Sequence, residues 1–118
     1  MTDNDIPPIY HHDDIPWQRH PRFQDVFFKP LIKGAENTFA SVGMVRVPAG
    51  AEIGLHIHPQ EIETIYVMAG HGVFHVGGEE RPVREGDIVS VPIGMTHGLR
   101  NESQEDVQLL TIFTPPIF

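Results

Sequence analysis

Apolar residues recur along the chain in short alternating runs broken by glycine and proline, a pattern of many short strands and tight turns rather than helices. The runs predict strands over 23–32 (FQDVFFKPLI), 38–47 (TFASVGMVRV), 63–68, a short stretch around Phe74 and Val76, 81–84, 88–91, a strand opened by His97, and a last one over 107–113. Gly77-Gly78 predicts a hairpin, Pro92-Ile93-Gly94 a turn that delivers His97, and Thr114-Pro115-Pro116 the end of the final ladder. Over 38–47, Val42, Met44 and Arg46 share one face and Phe39, Val45 and Val47 the other, and periodicity leaves open which is the interior. On a cavity face the Arg46 guanidinium would suit a carboxylate or phosphate; an exposed or interface arginine is the simpler expectation. Phe74 and Val76 read as a buried face, so His75 is expected to point away from any pocket, as is His71 beside the turn.

The fold class expected is all-β, a barrel or sandwich of antiparallel strands. Residues 1–22 read as an N-terminal arm, acidic and broken at Pro7, Pro8 and Pro16. Ile15 and Trp17 alternate in phase and suit docking on a sheet face or a partner subunit. His11, His12, Asp13 and Asp14 are read as solvated arm residues, because adjacent histidines on extended chain point opposite ways.

Composition narrows the function. At 118 residues the chain is long enough for one domain with a sizeable core and too short for two. A net charge of −8 argues against nucleic-acid binding and against attraction to an anionic membrane. With no cysteine, chemistry falls to metal, histidine, carboxylate or hydroxyl groups. The opening MTDNDIPPIY has neither the positive nor the apolar region of a signal peptide, and no apolar run reaches membrane length, so a cytoplasmic location is the default expectation.

Two stretches carry candidate chemistry. In GAEIGLHIHPQEIETIYVMAG, Gly50 to Gly70, His56 and His58 leave an extended strand from the same face, and Glu63 returns beside them after a turn at Pro59. In GDIVSVPIGMTHGLRN, Gly86 to Asn101, His97 completes three imidazoles and one carboxylate. Such a set suits iron, manganese, nickel, copper, cobalt or zinc, and leaves open positions on an octahedral ion. Phase with the ligands places Ile65, Val67, Leu99, Leu109 and Phe113 on the pocket wall. Glu61 is expected to be solvated, Tyr66 to pack outside and Arg100 to be out of phase with His97; no catalytic base is identified.

The first stretch resembles the cupin motif of Gly, five residues, His-x-His, four residues, Glu, six residues and Gly, read at Gly50, His56, His58, Glu63 and Gly70. The second resembles its partner motif, read at Gly86, Pro92, Gly94, His97 and Asn101, and no position departs from either pattern. The resemblance implies a double-stranded β-helix, a jelly-roll barrel of antiparallel strands over 23–118, holding one divalent transition metal on His56, His58, Glu63 and His97. It implies a metal-dependent protein acting on a small organic substrate, with a dioxygenase-like oxidoreductase ahead of an isomerase or lyase. The competing class is a non-enzymatic metal- or small-ligand-binding module. A homodimer is expected from the resemblance and from apolar segments at both ends, Ile15 to Phe28 and Pro115 to Phe118.

Overall fold

Alternation of apolar and polar side chains lets each strand give one face to a common interior, and the chain meets that demand with two antiparallel sheets. The computed structural model describes residues 6–118; residues 1–5, the start of the arm expected over 1–22, lie outside the described residues. After a 3-10 turn at His12–Asp14 come β1 (Gln18–Arg19), β2 (Phe27–Ile32), β3 (Ser41–Val47), β4 (Glu52–His56) and β5 (Ile62–Ala69). There follow β6 (His71–Val76), β7 (Glu79–Arg84), β8 (Ile88–Val91), β9 (His97–Arg100) and β10 (Val107–Thr114). One sheet runs β1-β2-β3-β10-β5-β8 and the other β4-β9-β6-β7, the double-stranded β-helix expected for these motifs. Among the described residues no helix is long and apolar enough to cross a membrane.

The interior is filled from both sheets by Val45, Val47, Ile65, Val67, Phe74, Val91, Leu99, Val107 and Leu109. Val45 and Val47 therefore mark the inner face of β3, and Arg46 lies on the outer one. There its guanidinium carbon stands 4.5 Å from the Phe27 ring centroid and 5.1 Å from that of Trp17. Trp17 also covers Lys29, whose Nζ lies 4.5 Å from the indole and donates to the His12 carbonyl at 2.8 Å. The arm thus docks on the outer face of this sheet, shielding the Lys29 stem and its strand neighbour Met44.

Two strands start later than their sequence runs suggest. The segment before β2 is a loop, because Asp25 takes a positive φ of 61° and the His20 amide bonds the Val26 carbonyl at 2.8 Å. The segment before β3 is held in turns by the Asn37 carboxamide, which accepts from the amides of Phe39 and Ala40. Elsewhere the punctuation reads through directly: Gly77 and Gly78, φ 58° and 86°, make the β6–β7 hairpin. The tail beyond β10 folds back on its own barrel, with the Phe118 carbonyl accepting from Gly34 and the Phe118 ring 5.0 Å from Phe28.

Asn101 ties the loop after β9 to the barrel. Its buried carboxamide donates to the carbonyls of Val47 and Glu105 and accepts from Ser103. Gly70 is needed for close approach as well as for its φ of 83°, since a Cβ there would collide with the Asp106 carbonyl oxygen. Gly78 has a similar φ of 86° but open space around it. Gly78→Ala should therefore cost only the left-handed backbone penalty, roughly 1–2 kcal/mol, while Gly70→Ala should cost about 3 kcal/mol or more. Urea unfolding of the two variants checks this; equal losses would contradict it.

Candidate metal centre

His56 ends β4 and is the register partner of His97, which begins β9. The two imidazoles consequently leave neighbouring strands side by side, ring centroids 4.2 Å apart. His58 stands two residues further on, in a loop pinned by the Gly94 amide, which donates to the His58 carbonyl at 2.9 Å. Gly94 makes that turn possible with a φ of 77°. Glu63 comes from the opposite sheet, on β5 between Val91 of β8 and Phe113 of β10. One ligand atom from each of His56, His58, Glu63 and His97 lies within 4.8 Å of all the others. Among the described residues this is the one such group, so the four sequence-predicted ligands converge.

Backbone contacts fix which nitrogens face inward. Nδ1 of His56 lies 2.8 Å from the Gly54 carbonyl and Nδ1 of His97 lies 2.9 Å from that of Met95. A carbonyl only accepts, so both Nδ1 atoms carry protons, and each ring in its neutral form presents the Nε2 lone pair to the centre. Glu63 Oε1 sits 2.9 Å from His97 Nε2 and 3.3 Å from His58 Nε2. Lone pairs and a carboxylate gathered at this distance repel unless a cation or a proton lies among them. The donor set therefore fits a divalent metal, and the outward Nδ1–H bonds are the usual orienting contacts of histidine ligands.

The electrostatics follow. Burial is the largest influence on His56 and pushes its imidazole down to about 4, with His97 and His58 acting in the same direction. Burial also opposes charge on Glu63, but hydrogen bonding to His58 and His97 outweighs it and holds the carboxyl below its ordinary value. For His97 burial is again the largest influence and lowers the pKa, yet the contacts to Glu63 and the Met95 carbonyl together raise it.

The centre opens on an apolar cavity of about 280 Å³ between the sheets. Ile65, Leu99, Leu109 and Phe113 line it as expected, whereas Val67 packs in the interior beyond. Further walls come from Val45, Ile53 and Phe74. Aromatic rings form a closed collar around it. From His58 the contacts run to Phe113 at 5.0 Å, to Phe118 at 6.2 Å, to Phe28 at 5.0 Å and to His20 at 5.9 Å. They return through Phe23 at 4.9 Å and His56 at 5.0 Å, the two histidines closing the circle at 4.8 Å.

Four of these seven rings, His20, Phe23, Phe28 and Phe118, eluded the sequence. Phe23 and His20 sit in the loop between β1 and β2, whose Asp25 bend carries Phe23 across to β4, beside Gly54 and His56. Nδ1 of His20 accepts from the amides of Arg22 and Phe23, at 3.0 and 3.3 Å, so the proton resides on Nε2. Burial lowers the His20 pKa, and the ring is a neutral hydrogen-bond donor at the cavity wall. The available signal was Gly43 inside a strand: a Cβ there would stand 2.7 Å from Phe28 and 3.1 Å from Phe118.

Other candidates lie elsewhere. Tyr66 is 41% exposed, and Arg100 pairs with Glu80 and Glu102 outside the barrel. Glu61, His71 and His75 do not line the cavity, and His11, His12, Asp13 and Asp14 are exposed on the arm.

Comparison with known proteins agrees with this geometry. The sequence family described as Cupin domain matches residues 43–113. The chain is 34% identical over 68 residues to an oxalate-binding protein of Thermotoga maritima, covering 58% of this chain and 56% of that one. It is 30% identical over 86 residues to polyketide synthase CurC of Streptomyces cyaneus, covering 73% and 54%. The chain thus spans little over half the length of these relatives. Its fold is similar to the crystal structure of a predicted oxalate decarboxylase from Thermotoga maritima, TM-score 0.83 at 24% identity, covering 92% of this chain and 99% of that one.

The burial of His56 sets a pH dependence in metal-free protein. The folded ring protonates near 4 and an unfolded histidine near 6.5, so in this window the unfolded state binds more protons and the His56 contribution to stability rises with pH. His97, whose pKa is raised, contributes with the opposite sign and is common to wild type and variant. The stability of wild type relative to His56→Gln should therefore fall as pH falls from 6.5 to 4. Chemical denaturation at pH 7, 5.5 and 4.5 measures it, and a constant gap would contradict the account.

Proposed function

The chain belongs to the cupin family, and from that premise we propose that it is a metal-dependent oxidoreductase of the dioxygenase kind acting on a small organic substrate. The observation that supports this most is the placement of four inward-facing ligand atoms at the wall of an apolar cavity. A divalent transition metal held by His56, His58, Glu63 and His97 would supply Lewis acidity and, if redox-active, one-electron chemistry with dioxygen. The chain's own part is to hold the imidazoles of His56 and His97 in one tautomer, exclude water with the aromatic collar, and leave one side of the ligand set open to the cavity.

A dioxygenase adds both atoms of dioxygen to its organic substrate, which itself provides the electrons, so the reaction needs no separate reductant. Among the described residues no lysine or further carboxylate lines the cavity, and His20 presents a proton donor rather than a base. This scarcity favours substrates activated by loss of an already acidic proton, such as enols, diketones and phenols. The metal environment then does most of the activation.

A second reading, a non-enzymatic binder, draws support from the oxalate-binding relative. Against oxalate itself stand the apolar walls and a volume of about 280 Å³, nearly twice the ~150 Å³ that encloses benzene.

The reading is tested by oxygen uptake of iron(II)-loaded protein across a panel of phenols, diketones and enols. At least one member should consume dioxygen in step with substrate loss, and His97→Ala should lower that rate by about 100-fold or more. Uptake by none, from protein that retains its iron, would overturn the dioxygenase reading and leave the binder.

A further inference from the structure

Among the described residues, the side chains lining the cavity carry polar atoms beyond the four ligands only at His20, Arg22 and Thr111. The Thr111 hydroxyl oxygen is sealed in the wall. His20 differs. Its Nδ1 accepts from the amides of Arg22 and Phe23, which places the proton on Nε2 and turns the Nδ1 edge into its own loop. Nε2 has no protein partner among the described residues, and on this half-buried ring it is not sealed as Thr111 Oγ1 is. The ring stands against two other rings of the cavity, 4.9 Å from Phe23 and 5.9 Å from Phe28. Phe23 is in turn 5.0 Å from His56, so one ring separates His20 from the ligand set.

Charge on this side of the cavity has one sign. Arg22 also lines it, its guanidinium carbon 5.6 Å from the Phe23 centroid, and among the described residues no carboxylate pairs with it. The Glu63 and Arg22 charges both reach His20, the carboxylate favouring its charged form and the guanidinium opposing it. Glu63 is the one lining carboxylate, and a divalent ion on the ligand set would more than cancel it. Apolar walls with a free N–H and a cation on one side suit an anionic oxygen carried on an apolar body.

We infer that the substrate is an apolar-bodied carboxylic acid, its carboxylate accepting from His20 Nε2–H and facing the Arg22 guanidinium while its body lies along the apolar walls toward the ligand set. This deepens the proposed function and rests on its reading of the cavity as the substrate site. The carboxylate and the activated enol or diketone oxygens then belong to opposite ends of one molecule. His20 is a specificity residue whose nitrogens have separate tasks: Nδ1 shapes the loop and Nε2 reads the substrate.

Substitution separates those tasks. His20→Asn keeps a side-chain oxygen for the same two amides but no donor as far out as Nε2, whereas His20→Gln sets an amide N–H near the Nε2 position and gives up the loop contact. Calorimetric titration, with and without one equivalent of zinc, compares 4,6-dioxoheptanoate with heptane-2,4-dione, which has a methyl group where the acid has its carboxylate. The acid should bind at least about tenfold more tightly. His20→Asn should remove most of that preference with Tm and heptane-2,4-dione affinity unchanged, and His20→Gln should keep most of it at a lowered Tm. Arg22→Gln should reduce it several-fold.

Binding of neither compound, equal affinity for the two, or a full preference in His20→Asn would each overturn the inference. Zinc uptake separates the two claims. A preference that depends on His20 in protein that takes up no zinc removes the metal reading alone, and zinc uptake without the preference removes this inference alone.

Discussion

Three imidazoles and one carboxylate brought within 4.8 Å of one another inside a barrel form the arrangement on which the rest of the site depends. Backbone carbonyls of Gly54 and Met95 hold the Nδ1 protons of His56 and His97, which turns both Nε2 lone pairs toward Glu63. Such a gathering of acceptors is tolerated only with positive charge among them. The strands, turns and glycines around it all position these four groups. His56 and His97 are register partners, Gly94 anchors the His58 loop, and β5 brings Glu63 across from the other sheet.

The aromatic collar links that centre to both ends of the described chain. His20 and Phe23 come from the loop before β2, and Phe118 is the last residue, yet all three stand on the same cavity. Gly43 makes room for Phe28 and Phe118 where any side chain would displace them. The arm just upstream is fastened to the outer face of the same sheet through Trp17, Lys29 and Arg46. Segments outside the two motifs thus supply part of the cavity wall. Proteins that share the motifs can differ in substrate through these segments alone.

The legible part of the molecule was what local chemistry dictates. Turns at Gly77-Gly78 and Pro92–Gly94, the phase of Phe74 and Val76, and the convergence of His56, His58, Glu63 and His97 all follow from spacing and from period two. Non-local packing was less legible. The side of β3 that faces inward was undecided, because both faces carry large apolar groups and the outer one is covered by Trp17. Val67 matched the phase of the ligands but lies one layer past the cavity, since phase says nothing of depth along a barrel. His20, Phe23 and Phe118 reached the site only through the Asp25 bend and the folded-back tail, contacts between residues far apart in sequence that no periodicity carries.

The central proposal, that these four side chains hold one divalent metal, is tested most directly by elemental mass spectrometry on protein purified without a polyhistidine tag. The account predicts about one equivalent of a divalent transition metal per chain, falling several-fold in His58→Ala while circular dichroism keeps its β-sheet signature. Protein that carries no metal and takes up none of iron, manganese, nickel, copper, cobalt or zinc on titration would contradict it.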